Sequence, residues 1–178
     1  MPNAMTSTPA IGISPARSEA DITSARELFG EYAESIGVDL EYQGFSSELS
    51  GLPVPYAPPS GDLLLARVAG GLAGCVAFRA LDGSAAEMKR LYVRPTGRGT
   101  GLGRRLVEAV ISAASQAGYA ELRLDTLASM EAAQTLYRAM GFVEIPPYGG
   151  AYRPGTRFFA LSLATRPSVE GEASAGSA

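Results

Sequence analysis

The 178-residue sequence has no histidine and a single cysteine. Without imidazole, Ser-His-Asp and Cys-His nucleophilic systems are excluded, as are zinc sites that rely on histidine. One thiol can form neither a thiolate cluster nor an internal disulfide, which suits a reducing compartment. Cys75 lies in the apolar, strand-like run 72–78 and reads as a small core hydrophobe. A net charge of -3 and a pI near 5.1 give no concentrated basic surface for nucleic acid or for an anionic membrane. No apolar run reaches membrane-spanning length, and residues 1–8 lack the basic and apolar regions of a secretory signal. The resulting expectation is a cytoplasmic protein without metal, nucleic-acid or membrane partners.

Apolar residues make up 46% of the chain and charged residues 19%, a globular composition at a length suited to one domain. Residues 1–10 read as a flexible extension, with Met5 an alternative start. Residues 11–164 read as one domain, and the Ser, Ala, Gly and Glu rich 165–178 as a disordered tail.

Residues 11–16 form a short strand pattern, and Asp21, Thr23 and Ser24 offer helix caps. Ile22, Ala25, Leu28, Phe29, Tyr32, Ala33 and Ile36 then repeat at helical spacing until Gly37. The proline-rich loop that follows carries Tyr42, Phe45 and Tyr56. These aromatics either wall a small-molecule site or anchor the loop to the core. Residues 63–69 and 72–80 read as a hairpin across Gly70-Gly71, and residues 86–93 as the next strand, ending before Pro95. Simple alternation puts Glu87, Lys89, Leu91 and Val93 on one face of that strand. A second helix repeats Leu102, Leu106, Val107, Val110, Ile111 and Ala114 to Gly118. Residues 121–125 form a further strand, Ser129 is read as the cap of a helix through Tyr137 to Gly141, and two closing strands surround the loop 146–154, which carries Tyr148.

Between strand and helix stands Arg98-Gly99-Thr100-Gly101-Leu102-Gly103. Its glycines leave backbone N-H groups unscreened and open a helix with unpaired N-H groups and partial positive charge, so the stretch reads either as a pyrophosphate cradle or as a flexible loop. Arg104 and Arg105 sit in the first helical turn, where the dipole disfavours cations, and a bound anion explains them more readily than helix stability does. Arg94 and Arg98 add charge at the same end. A dinucleotide fingerprint would need glycine where Arg104 stands, and a Walker loop would need Gly-Lys-Ser/Thr.

The stretch resembles the Q/R-x-x-G-x-G/A motif of the GNAT superfamily of N-acetyltransferases at every specified position. The likeness continues through Leu91-Tyr92-Val93-Arg94-Pro95 and through Ala133-Gln134-Thr135-Leu136-Tyr137-Arg138-Ala139-Met140-Gly141-Phe142, covering residues 61–163. It is most like small bacterial-type members with an unassigned acceptor. The resemblance implies an α/β (α+β) fold: a mixed, mostly antiparallel sheet with splayed central parallel strands, flanked by helices. It also implies acetyl-CoA as co-substrate. Leu91, Tyr92 and Val93 would line the pantetheine arm, with backbone groups of Leu91 and Val93 bonding to it. Gly99, Thr100, Gly101, Leu102, Gly103 and Arg104 would hold the pyrophosphate, and Arg98 would help neutralise it. Ser129 stands nearest the position where the family pattern has a cofactor-contacting Asn.

Acetyl transfer needs an uncharged amine, an oxyanion site and a proton for the departing thiolate. Tyr137 matches the tyrosine that the family uses as proton donor, although its helical spacing alone would read as a core aromatic. The Leu91 N-H would polarise the thioester carbonyl. Glu87 lies where some members carry a general-base glutamate, while others use water relays. The implied function is N-acetylation of a small-molecule amine in a ternary complex by a monomer or homodimer, with Tyr42, Phe45, Tyr56 and Tyr148 expected around the acceptor. A non-catalytic acyl-CoA sensor, a nucleotide-binding regulatory domain and acetylation of a peptide or protein amine are the alternatives.

Overall fold

The computed structural model describes residues 8–163. The expected tail, residues 165–178, and most of the expected N-terminal extension lie outside them. The described elements are β1 (Ile11–Pro15), α1 (Glu19–Ile36), α2 (Phe45–Gly51), β2 (Asp62–Val68), β3 (Gly71–Asp82), β4 (Ala85–Val93), α3 (Leu102–Gln116), β5 (Glu121–Thr126), α4 (Glu131–Ala139), β6 (Val143–Ile145) and β7 (Arg157–Ser162). Among the described residues the seven strands form one sheet, ordered β1-β2-β3-β4-β5-β7-β6. Only β4 and β5 pair in parallel; the other neighbours are antiparallel. This is the mixed, mostly antiparallel sheet expected.

Helical periodicity translates directly into packing. In α3, Leu102, Leu106, Val107, Val110, Ile111 and Ala114 are all buried, and with Val76, Phe78, Met88, Leu122 and Phe159 they fill the core on one face of the sheet. Ile22, Ala25, Leu28 and Phe29 of α1 cover the other face with Leu63, Leu65, Cys75 and Ala77. Cys75 is fully buried in that second core, and burial pushes its thiol pKa up. Gly37 ends α1 in the left-handed conformation at φ 63°.

Two helix starts differ from expectation. Ser18, not a residue in 21–24, caps α1: its hydroxyl accepts from the Asp21 N-H while the Asp21 carboxylate accepts from the Ser18 N-H, a reciprocal capping box. The apolar period begins at Ile22, so the polar first turn carries no periodic signal. At α4 the capping position is Met130, with no side-chain bond, and Ser129 is exposed one residue before it.

The decisive irregularity is in β4. β5 pairs with β4 only from Ala85 to Glu87, opposite Glu121 to Arg123, and the two strands then diverge. Along the β3 edge the register jumps between Ala77–Lys89 and Cys75–Tyr92, a bulge centred on Arg90, whose φ is +59°. A left-handed arginine costs about 1–2 kcal/mol locally, and the cost is offset by the contacts its side chain makes. The extra residue reverses the alternation. Met88, Leu91 and Val93 face the α3 core, whereas Tyr92 turns to the α1 face. The expectation that Glu87 and Leu91 share a side is therefore wrong, because alternation counts residues and the bulge inserts one.

Candidate active site

Three cavities follow one another along β4, linked by shared lining residues. The first, of about 360 Å³, extends from Arg98 and Gly103 along Leu91, Tyr92 and Val93 to Ala133 and Leu136 of α4. The second, of about 30 Å³, lies between the diverging strands and is lined by Tyr137; it shares Tyr32, Leu91 and Met130 with the first. The third, of about 290 Å³, opens on the far side among Glu87, Tyr148, Tyr152 and Phe158. Tyr42, Gln43, Lys89 and Asp125 line both the second and the third.

At the mouth of the first cavity, Gly99 and Gly101 adopt φ of 75° and 78°, a conformation that L side chains rarely take, and Gly101 is the capping residue of α3 with no side-chain bond to the helix. The first intrahelical bond runs from Arg105 N to Gly101 O, so the N-H groups of Leu102, Gly103 and Arg104 precede the helical ladder. The Thr100 hydroxyl donates to Gly97 O at 2.6 Å and tightens the loop. Gly103 has no β-carbon to intrude between Val93 and Leu136; one built there would meet Leu136 at 3.6 Å. Arg98 lines the cavity and donates to Val93 O at 3.4 Å. Such a mouth fits a phosphorylated ligand by backbone donors, dipole and an available cation. Arg94 does not add to it: its guanidinium is bound by Glu31 (Nη2 to Oε1 at 2.6 Å) and Glu27 of α1, which ties that helix to the end of β4. Arg104 lies 3.8 Å from Glu108 on the exposed face of α3.

Tyr137 is 5% exposed, in contact range of Phe142 and Phe159, and its ring reaches the middle cavity. Its hydroxyl has no protein hydrogen-bond partner among the described residues. Burial, with the nearby Tyr32 and Asp125, pushes its pKa above the ordinary phenol value, so the group stays protonated and available as a donor.

Glu87 is buried at the floor of the third cavity. Arg79 donates to its Oε2 from Nε at 3.3 Å and from Nη2 at 3.2 Å, Lys89 Nζ lies 3.7 Å from Oε1, and the Tyr148 hydroxyl donates to Oε1 at 3.4 Å. Burial and the Glu87 charge raise the Tyr148 pKa. Lys89 Nζ also donates to Asp125 Oδ1 at 3.1 Å, and Gln43 Nε2 donates to Oδ2 at 3.5 Å. Gln43 accepts from Arg90 Nη1 at 3.1 Å. One polar chain thus crosses from β4 to β5 between the second and third cavities.

The sequence 59–144 matches the model of the acetyltransferase (GNAT) domain. An N-acetyltransferase of Schizosaccharomyces pombe, itself uncharacterised, is 40% identical over 140 residues, 78% of this chain and 86% of that protein. The chain belongs to the GNAT acetyltransferase family. The fold agrees: a GNAT-family acetyltransferase of Staphylococcus aureus superposes with a TM-score of 0.72 at 21% identity, over 86% of this chain and 99% of that one. The PaiA N-acetyltransferase of Thermoplasma acidophilum, solved with coenzyme A, gives 0.66 at 18% identity over 86% and 99%.

Within this GNAT fold, the residues expected at the cofactor from Leu91 to Val93, together with Arg98 and Gly103, line one cavity, and Tyr137 faces the next. Ser129 lines neither. Of the residues expected around the acceptor, Tyr42 and Tyr148 line the third cavity. Tyr56 and Phe45 do not: Tyr56 is 1% exposed in the α1-side core, stacks edge-on against Phe29 and donates its hydroxyl to Glu48, while the Phe45 ring lies 5.2 Å from the Arg90 guanidinium. These two aromatics anchor the loop. Gln43, Lys89, Asp125 and Arg90 escaped the sequence reading. For Asp125 and Lys89 a signal existed: both are charged residues on central strands, where neighbours such as Met88, Leu122 and Leu124 are core residues.

Proposed function

We propose that the protein transfers the acetyl group of acetyl-CoA to the primary amine of a small molecule, by direct attack in a ternary complex. The observation that carries this reading is the series of cavities. It links the glycine-opened start of α3, past the unpaired edge of β4 and the Tyr137 hydroxyl, to a separate cavity with charged and aromatic walls. One opening suits the pyrophosphate and its arm, and the other suits an acceptor.

In this reading the N-H groups from Gly99 to Arg104 hold the pyrophosphate and Arg98 offsets its charge. Leu91, Tyr92 and Val93 line the arm, and the Leu91 N-H polarises the carbonyl of the bound thioester. Acetyl-CoA supplies an activated acyl carbon: a bond forms between it and the amine nitrogen, the carbon–sulfur bond breaks, and the electron pair leaves on sulfur. Tyr137 hands its proton to that sulfur. The amine, which arrives as an ammonium ion, loses one proton to reach its nucleophilic form and a second as the amide forms; Glu87, directly or through a water, takes up protons on the acceptor side, and Tyr137 recovers its own from that pool. The balance is one acetamide, one thiol and one proton released. Residues 11–164 act as a single catalytic domain in the cytoplasm, as a monomer or homodimer, with no metal.

Calorimetry with acetyl-CoA, ATP and NAD tests the cradle, and the expected result is binding of acetyl-CoA alone. Thiol release over a panel of amines tests catalysis. Binding with no turnover of any small amine or peptide would replace the enzyme by an acyl-CoA sensor.

A further inference from the structure

Resting on the acetyl-transfer reading, we infer that the acceptor is an amino acid with an apolar or aromatic side chain: a primary amine that carries a carboxylate beside it. The charged residues lining the third cavity are Arg79, Glu87, Lys89 and Asp125, two cations and two carboxylates, already paired with one another. Lys89 and Asp125 are the pair on the partition toward Tyr137, and their side chains are 9% and 16% exposed. In water such a pair is worth little, but between partly desolvated walls each partner must keep a counter-charge.

An amine reaching the acyl carbon has to meet this partition. Asp125 is the carboxylate that lines both cavities, and its second oxygen is oriented by Gln43, itself held by Arg90. The incoming ammonium therefore takes the place on Asp125 that the Lys89 ammonium occupies in the free protein. An acceptor with only a cationic group takes Asp125 from Lys89, leaves that lysine only its longer 3.7 Å contact with Glu87, and gives the cavity one excess positive charge. An acceptor that brings a carboxylate as well exchanges both halves of the pair, its ammonium going to Asp125 and its carboxylate to Lys89 and the half-exposed Arg79. The remainder of the acceptor meets Tyr148, Tyr152 and Phe158, whose rings stack edge-on at 5.2 and 5.1 Å around Phe158. A volume of about 290 Å³ fits a small acceptor and not a folded protein surface.

The test uses the full chain with matched pairs: phenylalanine against phenethylamine, and leucine against isoamylamine. Acetyl-CoA binding is measured first by calorimetry, and its absence overturns the acetyl-transfer reading and this inference together. Given binding, thiol release is expected to show kcat/KM at least about tenfold higher for each amino acid than for its decarboxylated partner, the scale of one lost ion-pair partner. Lys89→Met is expected to bring that ratio toward one through a raised KM for the amino acid, whereas a merely structural lysine would depress both members alike. Equal or better turnover of the decarboxylated amines, or a ratio unmoved by Lys89→Met, overturns the inference and leaves acetyl transfer standing. If no member of either pair turns over, calorimetry on the CoA-loaded protein decides: binding of the amino acids alone upholds the inference, and any other pattern overturns it.

Discussion

Arg90 and Glu48, 42 residues apart in the chain, form a two-bond ion pair in the interior, Nε to Oε1 at 3.1 Å and Nη2 to Oε2 at 2.5 Å. The pair fastens α2 to the bulge of β4, and the Tyr56 hydroxyl adds a third bond to the same carboxylate. Burial alone would raise the Glu48 pKa, but the bonds from Arg90 outweigh it and hold the carboxyl below its ordinary value.

Removing one partner leaves a buried charge unpaired. Glu48→Gln is expected to cost about 3–5 kcal/mol, and the double change Arg90→Met with Glu48→Leu appreciably less than the sum of the two single changes. Urea titrations of Glu48→Gln, of Arg90→Met and Glu48→Leu singly, and of the double variant check this.

Tyr137→Phe keeps the ring that packs on Phe142 and Phe159 and deletes only the donor. The fold and acetyl-CoA affinity should hold, while kcat for thiol release falls by about 10²–10⁴. Because the Tyr137 pKa is raised, the wild-type rate should show no alkaline loss from this group until well above the ordinary phenol range near 10. A kcat limb near neutrality that disappears in the Phe variant would contradict the raised pKa, and a kcat unchanged in the Phe variant would contradict the donor role.

Gly103 separates stability from ligand binding. A methyl at this position meets Leu136 at ordinary contact distance and replaces a poor helix former, so Gly103→Ala should leave the protein as stable or up to about 1 kcal/mol more stable. The same methyl narrows the first cavity between Val93 and Leu136. Acetyl-CoA affinity is expected to drop by about tenfold, roughly 1.4 kcal/mol, with the two effects read by thermal melting and calorimetry.

How far the sequence carries is clearest from α3 and β4. Every periodic position of α3 is buried, because one amphipathic face has one place to go. The glycine stretch was legible for a similar reason: left-handed glycines and an uncapped helix start are local features. The bulge at Arg90 was not. Arginine carries no preference for positive φ, and what holds it there arrives from Glu48 and Gln43, more than 40 residues earlier in the chain. The same remoteness hid the role of Tyr56, whose partner is set by the fold and not by neighbouring residues.

The capping box of α1 gives a pH signature. The Asp21 carboxylate accepts from the Ser18 and Arg17 N-H groups, which lower its pKa from 3.8 to about 2. A depressed folded pKa stabilises above the unfolded value, and the gain disappears as pH falls through the folded value. The melting-temperature difference between wild type and Asp21→Asn should therefore be constant above about pH 5 and shrink toward zero between about pH 4 and 2. A difference unchanged at pH 2 would show that the carboxylate contributes through something other than its charge.

The inserted residue at Arg90 lets a single strand work in two phases. Ahead of it, Glu87 and Lys89 line the third cavity; behind it, Leu91 and Val93 pack toward the α3 core and line the first. Deleting that one residue would restore simple alternation and turn the linings of both cavities toward the same side of the sheet. The linings of the two larger cavities are thus encoded on either side of one backbone step, and substitutions that reshape the third need not disturb the first.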